Sequence, residues 1–528
     1  MRQTKIVLFL FLGIVLCTIL LTPTEGVAKK AFLSEDEYLN LPEEKMDIAE
    51  GALIIAKGFY PDLDIQKYLD QIDGMVAGLK PKLKGVKKPE KIIAIINDDV
   101  LVKQKLQYKE GATFLNDLLD KGHGNCVSLS TLYLCVTQRL NLPFYGVHAP
   151  THNFVRYDDG KTRLNVEITA GGAVRPDEYY MDLNERTIHP VSIKNGTYLR
   201  NLTKKELCSA IISNRGDLLR EKQSYHTALS DCKTAIHLDS KNLLAYNTRA
   251  IIYKALCKYQ EAIRDLDKTI GLDPNNAAAY NNRGVIHEKL GKHEEAINDY
   301  TKAVELDPNY VTAYYNRAKA YHHLKDFQQA INDYTKVVEL EPTHAHAYYR
   351  RGNAYGSLKN YQQAVSNYTK AIALKPKTSL TAYVQRGLTY KKKGDYQRAV
   401  NDFTRAIELN PKYEQAYFYR GLVYGNNLHN HQGAVDDFTT LIELNPKNTS
   451  AYNHRGNAFG RLGKYQEAIK DYTNVIELNP KVGIVYSGRA FCHAKLGNRQ
   501  QAFSDYKAAA KLGHKGAQAF LKKQGIQW

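Results

Sequence analysis

Hydrophobic and polar positions repeat every 34 residues along the last three fifths of this chain. Residues 279–308 (AYNNRGVIHEKLGKHEEAINDYTKAVELDP) show one unit: a helical pattern, a turn at residues 290–292, a second helical pattern and a closing proline. Such a short unit cannot bury its apolar face alone, so the period predicts stacked helical hairpins over residues 206–528. The same position of each unit holds an arginine, in steps of 34 residues or, twice, 35: Arg215, Arg249, Arg283, Arg317, Arg351, Arg386, Arg420, Arg455 and Arg489.

An acidic residue follows almost every one of these arginines by sixteen residues, or by seventeen in the seventh unit. That distance carries it onto the second, antiparallel helix of the unit, where a guanidinium can make a bidentate contact with it. We therefore interpret the arginines as structural ion-pair partners rather than ligand-binding residues. Arg351 faces Asn367 and should make the weakest of these contacts. The predicted pairs are Arg215 with Asp231, Arg249 with Asp265, Arg283 with Asp299, Arg317 with Asp333, Arg386 with Asp402, Arg420 with Asp437, Arg455 with Asp471, and Arg489 with Asp505.

The first helix of each unit should line the concave face of the array. Positions five and two before the arginine, and two and five after it, lie on one helical face. The position two before the arginine is mainly aromatic or apolar in the central units and is bounded by asparagines: Asn281, Tyr315, Tyr349, Val384, Phe418 and Asn453. Aromatic anchors in a groove suit a protein or peptide partner, although aromatics here can equally pack between neighbouring units. Residues 515–524 should form a closing helix.

The units resemble tetratricopeptide repeats. The resemblance rests on the small residue after the arginine (Gly284, Gly352), the aromatic four positions after it (Tyr321, Tyr355), the alanine of the second helix and the closing proline. It implies a mainly α protein containing a right-handed α-solenoid of nine helix-turn-helix repeats, with a capping helix at its end. The family usually has leucine where these arginines stand.

The first 28 residues have the pattern of an export signal. Arg2 and Lys5 precede an uncharged apolar run over residues 6–21, which is short for a membrane-spanning helix. Cleavage after Gly26 or Ala28 and retention as an uncleaved anchor are both open. We expect an exported protein, periplasmic or extracellular.

Residues 29–205 form a separate predicted domain. Residues 42–57 and 65–79 read as amphipathic helices, and the lysine-rich residues 80–91 read as a solvated loop. Of the cysteines beyond the signal, those in helical segments are expected to be small core residues. Cys126 differs, because it follows Gly-His-Gly-Asn and opens a nearly all-apolar helix. A thiol at a helix N-terminus is favoured as thiolate.

A β-hairpin is predicted downstream of this helix. Residues 152–157 and 162–169 form its strands, around a turn at residues 158–161. A symmetric turn pairs His152 directly with Glu167, and the opposite face, with Val155 and Val166, faces the core. Glu167 could then hold the His152 ring and leave its other nitrogen for Cys126, giving a nucleophile, a base and an orienting acid. Asn165, diagonal to His152, is the alternative third member.

These residues resemble a transglutaminase-like domain of papain-like α+β fold, of the SirB-like subgroup. The matching segments are residues 122–130 (GHGNCVSLS), 146–156 (GVHAPTHNFVR) and 165–169 (NVEIT). The resemblance implies Cys126 as nucleophile, His152 as general base and Glu167 as orienting acid, where the wider family usually has aspartate. It also implies attack of a thiolate on an amide or ester carbonyl.

Composition adds a strong positive charge, formally +18, which favours anionic partners such as an anionic membrane or envelope surface. The sequence has no nucleic-acid-binding motif, glycine-rich phosphate loop or metal-ligand spacing, so we expect no nucleic acid partner, no metal and no cofactor. Two hypotheses remain: an exported scaffold that also carries a thiol-dependent hydrolase or acyltransferase, and a scaffold whose N-terminal domain only binds.

Overall fold

The structure is a computed structural model that describes residues 31–111, 114–181, 187–376 and 379–528. The predicted signal at residues 1–28 lies outside these ranges. Among the described residues, no helix combines the length and apolar character needed to cross a membrane. The chain forms two compact units, Met1–Asn282 and Arg283–Trp528. The first unit therefore holds the predicted N-terminal domain together with the first two repeats, and the domain boundary at residue 205 stays a prediction.

The N-terminal domain begins with helices packed around one core. They are α1 (Glu35–Leu39), α2 (Ile48–Lys57), α3 (Ile65–Leu83), α4 (Pro89–Ile96) and α5 (Leu115–Lys121), with a 3-10 turn at Glu43–Lys45 and a π-helical turn at Asn97–Val102. Two boundaries differ from the prediction. Helix α2 begins only at Ile48 because Asp47 caps it, accepting a hydrogen bond from the Glu50 amide. Helix α3 enters the lysine-rich segment because Leu83 extends the apolar stripe of the buried Leu79.

Helix α6 (Cys126–Arg139) is the central element of this domain, and its residues from Val127 to Thr137 are buried. It packs against an antiparallel sheet with the strand order β3-β4-β5-β6. Strands β1 (Gln107–Tyr108) and β2 (His123–Gly124) form a separate parallel pair just before the helix. The remaining elements are β3 (Phe144–Ala149), β4 (His152–Asp158), β5 (Arg163–Glu167), a 3-10 turn at Ile168–Ala170, β6 (Ala173–Arg175), α7 (Asp177–Met181) and α8 (Pro190–Lys194).

The β4–β5 hairpin is present, but its predicted register is wrong by two residues. Val155 pairs with Val166, so His152 does not lie directly opposite Glu167. The turn forms one residue later than predicted because Asp159 accepts hydrogen bonds from the amides of Lys161 and Thr162, at 2.9 and 2.7 Å. A two-residue shift keeps every side chain on its predicted face, since side chains alternate along a strand. His152 and Glu167 thus remain on one face as diagonal neighbours.

Both faces of this hairpin are buried. Val155 and Val166 lie in the main core, as predicted. The opposite face is covered by Tyr180, whose ring stacks on Phe154 with 3.8 Å between ring centroids. Arg156 is 1% exposed on this face. The alternation of apolar and polar residues marked only one face as core, because a buried arginine looks polar in the sequence.

Nine helical hairpins follow among the described residues, and the mainly α repeat array predicted from the sequence is confirmed. Their helices are α9 (Lys204–Glu221), α10 (Tyr225–Leu238), α11 (Leu243–Ala255), α12 (Tyr259–Leu272), α13 (Ala277–Lys289), α14 (His293–Leu306), α15 (Val311–His323), α16 (Phe327–Leu340), α17 (Ala345–Ser357), α18 (Tyr361–Leu374), α19 (Leu380–Lys392), α20 (Tyr396–Leu409), α21 (Glu414–Asn426), α22 (His431–Leu444), α23 (Thr449–Arg461), α24 (Tyr465–Leu478), α25 (Gly483–Lys495) and α26 (Arg499–Lys511). Helix α27 (Lys515–Lys523) buries Ala517 and Leu521 against α26.

The arginine–aspartate contacts join the two helices of each hairpin. In the described part of the array, the eight predicted pairs have Nη2–O distances between 2.6 and 2.8 Å. Each arginine also donates through Nε, at 2.8 to 3.1 Å. Arg351 donates through Nε to Asn367 at 2.7 Å. Burial lowers the pKa of Arg351. For Arg317 burial is also the largest single influence, but the hydrogen bonds and the charge of Asp333, with smaller contributions from Tyr321 and Tyr314, together raise the pKa. The neutral amide is the weaker partner for a buried cation.

A threonine of the preceding repeat completes most of these arginine sites. Arg317 Nη1 donates to Thr301 Oγ1 at 3.0 Å, and Arg420 Nη1 donates to Thr404 at 2.8 Å. One guanidinium thereby joins two helices of its own repeat and one helix of the repeat before it. Sequence analysis missed these threonines, although each stands sixteen or seventeen residues before its arginine.

Candidate functional site

The thiol of Cys126 lies at the first turn of helix α6. Asn125 caps this helix, and its Oδ1 accepts a hydrogen bond from the Ser128 amide at 2.9 Å. The amide of Cys126, as the first residue of the helix, has no intrahelical acceptor. Gly124 precedes the cap, where a Cβ atom would lie 2.3 Å from the Ser128 hydroxyl and would force that side chain to move. The Gly-His-Gly-Asn sequence thus places a half-buried thiol at the positive end of a buried helix.

His152, at the start of β4, is held by Glu167 at the end of β5. The His152 Nε2 atom lies 3.0 and 2.8 Å from the two carboxylate oxygens of Glu167. Thr169 fixes the carboxylate in turn, donating from its hydroxyl at 2.5 Å and from its amide at 3.1 Å. Because Nε2 is engaged by the acid, Nδ1 is the ring nitrogen left for the thiol.

The pKa values show how strongly the thiol and the imidazole interact. Burial would raise the pKa of Cys126, but hydrogen bonds from His152 and Asn153 bring it below its ordinary value. Burial would lower the pKa of His152, but its hydrogen bonds to Cys126 and Glu167 raise it to about 9. Burial would also raise the pKa of Glu167, and the hydrogen bonds from His152 and Thr169 lower it overall. These shifts favour a thiolate–imidazolium pair beside an ionised carboxylate.

Asn153 is a site residue that sequence analysis missed. Its Nδ2 atom lies 3.7 Å from the Cys126 Sγ atom. Its side chain also bonds His148, whose pKa is lowered by burial despite the opposing effects of Asp239 and of that hydrogen bond. An amide donor beside the thiol could contact the oxygen of a carbonyl carbon bonded to that sulfur. The only sequence signal was its position next to His152, on the strand face assigned to the core.

Asn165 does not take the role of the alternative third member. Its Oδ1 accepts from Arg156 Nε at 2.6 Å, and its Nδ2 donates to Asp177 at 2.7 Å. Arg156 also donates to Asp177 and to the carbonyl of Leu199. Asn165 therefore serves as a hydrogen-bond acceptor for the buried Arg156, and the ring of His152 is oriented by Glu167 instead.

The predicted groove residues are largely packed within their own repeat or against the following one. Tyr315 contacts the rings of Tyr334 and His344 at centroid distances of 5.7 and 5.2 Å. Val384 and Asn281 are buried. Tyr349, Phe418 and Asn453 are half-buried, and each of the two aromatics packs against a core cluster. These positions therefore serve repeat packing, and a role in partner binding remains a prediction for the half-buried ones.

Known families match both parts of the chain. Residues 66–212 match the transglutaminase-like superfamily. The tetratricopeptide repeat family matches residues 277–310, 311–344, 345–378, 381–413 and 449–482, and a related repeat family matches 258–291. The chain combines a transglutaminase-like domain with tetratricopeptide repeats. Residues 432–462 also match the protein prenyltransferase alpha subunit repeat.

Individual proteins are similar to parts of the chain. A UPF0162 protein of Xylella fastidiosa (strain Temecula1 / ATCC 700964) is 30% identical over 128 residues, which are 22% of this chain and 45% of the relative. The chain thus spans less than half of that relative's length. A UPF0162 protein of Buchnera aphidicola subsp. Baizongia pistaciae (strain Bp) is 21% identical over 229 residues, which are 42% of this chain and 84% of the relative. The C-terminal part of a TPR repeat-containing protein from Cytophaga hutchinsonii has 22% identity and a TM-score of 0.42, covering 46% of this chain and 98% of that structure.

Proposed function

We propose that this protein is an exported thiol-dependent hydrolase or acyltransferase whose tetratricopeptide repeats recruit a protein or peptide partner. The observation that carries the proposal is the placement of His152 between the carboxylate of Glu167 and the thiol of Cys126. Each member of this series shifts the pKa of the next toward the ionised pair. A histidine with only a structural role would not need a thiol on its other side.

The proposed reaction follows from these positions. The Cys126 thiolate attacks the carbonyl carbon of an amide or ester, and the carbonyl oxygen becomes an oxyanion near the Cys126 amide and Asn153 Nδ2. The C–N or C–O bond then breaks, and the imidazolium of His152 gives its proton to the leaving amine or alcohol. Water or a second amine attacks the thioester, transfers a proton to His152 and releases the thiolate.

The chain contains its own control for a test of the thiol. Each of the six cysteines that the structure describes is a free thiol, and Cys257 is exposed whereas Cys126 is half-buried. Exposure alone would make Cys257 react faster with iodoacetamide. We expect Cys126 to be alkylated first at pH 7, as measured by mass spectrometry of the two peptides. Faster labelling of Cys257 would leave only the scaffold function.

Turnover needs a second measurement. Hydrolysis of p-nitrophenyl acetate should show an acyl-enzyme burst that Cys126→Ser abolishes, while Cys257→Ser retains it. A burst that survives Cys126→Ser would place the reaction elsewhere.

Export is proposed from the pattern of residues 1–28. Expression of the full chain, followed by fractionation and N-terminal sequencing, would test it. A mature N-terminus at residue 27 or 29 is the expected result for cleavage, and an intact chain in the membrane fraction is expected for an anchor. An intact chain in the cytosol would contradict both forms.

A further inference from the structure

The cleft in front of Cys126 has two walls, and the first repeats supply one of them. Its volume is ≈ 440 Å³, within the usual range of about 300–1,000 Å³ for ligand sites. The domain wall includes Cys126, His152 and Asn153. The opposite wall comes from α9, α11 and the start of α13, all within the first compact unit.

The repeat wall is the face predicted to bind partners. Ala210, Leu244 and Ala278 stand five residues before the arginines of the first three repeats, and Ser213 and Asn247 stand two before. The concave positions of these repeats therefore open toward the candidate nucleophile. Two residues before the arginine, three of the later repeats have a large aromatic residue (Tyr315, Tyr349 and Phe418), whereas the first two repeats have Ser213 and Asn247, which leaves space for a bound chain.

Hydrogen bonds fix this wall to the transglutaminase-like domain. Asp273, at the end of α12, accepts from the Tyr198 hydroxyl at 2.9 Å and from the Ser192 hydroxyl at 3.2 Å. Asn195 Nδ2 donates to the carbonyl of Leu272 at 3.0 Å. On the other side, Arg215 donates to both oxygens of Glu35, at 2.6 and 2.7 Å. The repeat wall is thus held in place, and a substrate meets it and the thiol together.

The chemistry of the repeat wall suits an uncharged polypeptide. It presents the amides Asn214, Asn242, Asn247, Asn275 and Asn276. Three of them are used internally: Asn242 caps α11 and bonds Ser209 and Ser213, Asn275 donates to the carbonyl of Thr187, and Asn276 accepts from the Ala279 amide at the start of α13. The Oδ1 atom of Asn247 accepts from Asn282 at 3.1 Å, so its Nδ2 atom is the one offered to a ligand. Asn214 is different: its Nδ2 atom is buried and has no hydrogen-bond partner among the described residues. Side-chain amides pair with peptide N–H and C=O groups, which a polypeptide presents at every residue.

Leu244 adds an apolar contact on the same wall. It is 37% exposed, although it lines the cleft. The two charged side chains that the repeats contribute are Lys241 and Asp273, and Asp273 is already bound by Tyr198 and Ser192. An acidic or basic segment would find few partners here.

We infer that the substrate presented to Cys126 is an extended, uncharged polypeptide segment, bound through its backbone by Asn214 and Asn247 and through an apolar side chain by Leu244. This inference rests on the proposed function, because it assigns a substrate class to the same thiol. It makes the first two repeats part of the reaction site as specificity determinants, in addition to any partner held by the later repeats.

A pair of electrophilic peptides tests the inference in the full chain. Both carry a chloroacetyl group on a central diaminopropionic acid; one has two leucines on each side and the other two glutamates. The central electrophile makes the test independent of chain direction. We expect Cys126 to react with the leucine peptide at least tenfold faster than with chloroacetamide, and with the glutamate peptide no faster than with chloroacetamide. Equal rates for all three reagents would overturn the inference.

Variants of the repeat wall provide the second arm. Leu244→Ser and Asn247→Ala should each reduce the advantage of the leucine peptide several-fold, measured as its rate relative to chloroacetamide with the same variant. Leu256→Ser is the matched control, since Leu256 ends the same helix, is 41% exposed and does not line the cleft. Leu244→Met should retain the advantage, and circular dichroism checks that each variant is folded.

A full advantage in both Leu244→Ser and Asn247→Ala would also overturn the inference. If chloroacetamide reacts no faster at Cys126 than at Cys257, the proposed function itself fails, and the inference fails with it.

Discussion

The repeats and the transglutaminase-like domain both contain partly buried charged side chains, but the hydrogen-bond partners of those side chains differ. In the repeats, Arg317 is bound by the carboxylate of Asp333 and by the hydroxyl of Thr301. At the candidate site, Glu167 and His152 form a similar contact, but the series ends at the thiol of Cys126, which faces a cleft. The partners of Arg317 are all internal and stabilise the fold, whereas the series from Glu167 through His152 ends at a thiol that can react. The comparison therefore predicts that substitutions around Arg317 alter stability and that substitutions around Cys126 alter reactivity.

The largest effect is expected from His152→Ala. Without the imidazole the thiol loses the hydrogen bond that lowers its pKa, as well as its proton acceptor. We expect acylation by p-nitrophenyl acetate to fall roughly 10²–10⁴-fold, the usual contribution of a general base. The thermal midpoint of unfolding should change little. Retained acylation with a lower midpoint would place His152 among the structural residues, and Glu167→Gln should give a smaller loss of the same kind.

The corresponding change in the repeats is Asp333→Ala. It leaves the guanidinium of Arg317, which is 15% exposed, without its carboxylate. Removing one partner of a buried ion pair costs about 3–5 kcal/mol of unfolding free energy. Urea denaturation measures the loss, and thiol alkylation of Cys126 should be unchanged. Asp333→Asn is the matched control, because it recreates the Arg351–Asn367 contact and should cost less than Asp333→Ala. Equal costs for the two variants would show that the amide contributes nothing.

Asn153→Ala separates the two roles of the residue beside the thiol. Loss of one donor to an oxyanion lowers the acylation rate by about 10²–10³-fold. Alkylation by iodoacetamide forms no oxyanion, so it should fall much less, and only through the higher pKa of the thiol. The ratio of the two rates is therefore the measurement. If the acylation rate and the alkylation rate fall equally, Asn153 stabilises the thiolate and does not stabilise the oxyanion.

The pH dependence of alkylation gives a smaller but distinct signature. The pKa of Cys126 is lowered and that of His152 is raised to about 9, so the ion pair should persist from the lowered pKa of the thiol up to about pH 9. Alkylation of Cys126 should therefore level off at a lower pH than alkylation of an unperturbed thiol. The rate for a free small-molecule thiol rises steadily toward its pKa of about 8.5. In His152→Ala the profile of Cys126 should move to higher pH. A parent profile that coincides with that of the free thiol would exclude the ion pair.

The sequence was a better guide to the repeats than to the candidate site for a physical reason. The period of 34 residues predicts the position of each helix and the partner of each arginine, because every repeat places the same residue types at the same spacing. The site has no such repetition. The chemistry of Cys126, His152 and Glu167 could be named from residue type and strand alternation, but the register depended on the hydrogen bonds of Asp159. Asn153 and the repeat wall of the cleft depend on tertiary contacts, for which no local pattern exists.

The smallest expected effect comes from the threonines that link neighbouring repeats. In Thr301→Val, Arg317 still has both oxygens of Asp333, so the loss should be near that of one ordinary hydrogen bond, about 0.5–1.5 kcal/mol. Arg351 donates to Asn367 at 2.7 Å and to Thr335 at 3.0 Å, so in Thr335→Val it keeps a neutral amide and no carboxylate, and the loss should be larger. Urea midpoints of the two variants measure the difference. If Thr301→Val costs as much as Thr335→Val, the carboxylate does not compensate for a lost hydroxyl, and each contact of the guanidinium contributes independently of the others.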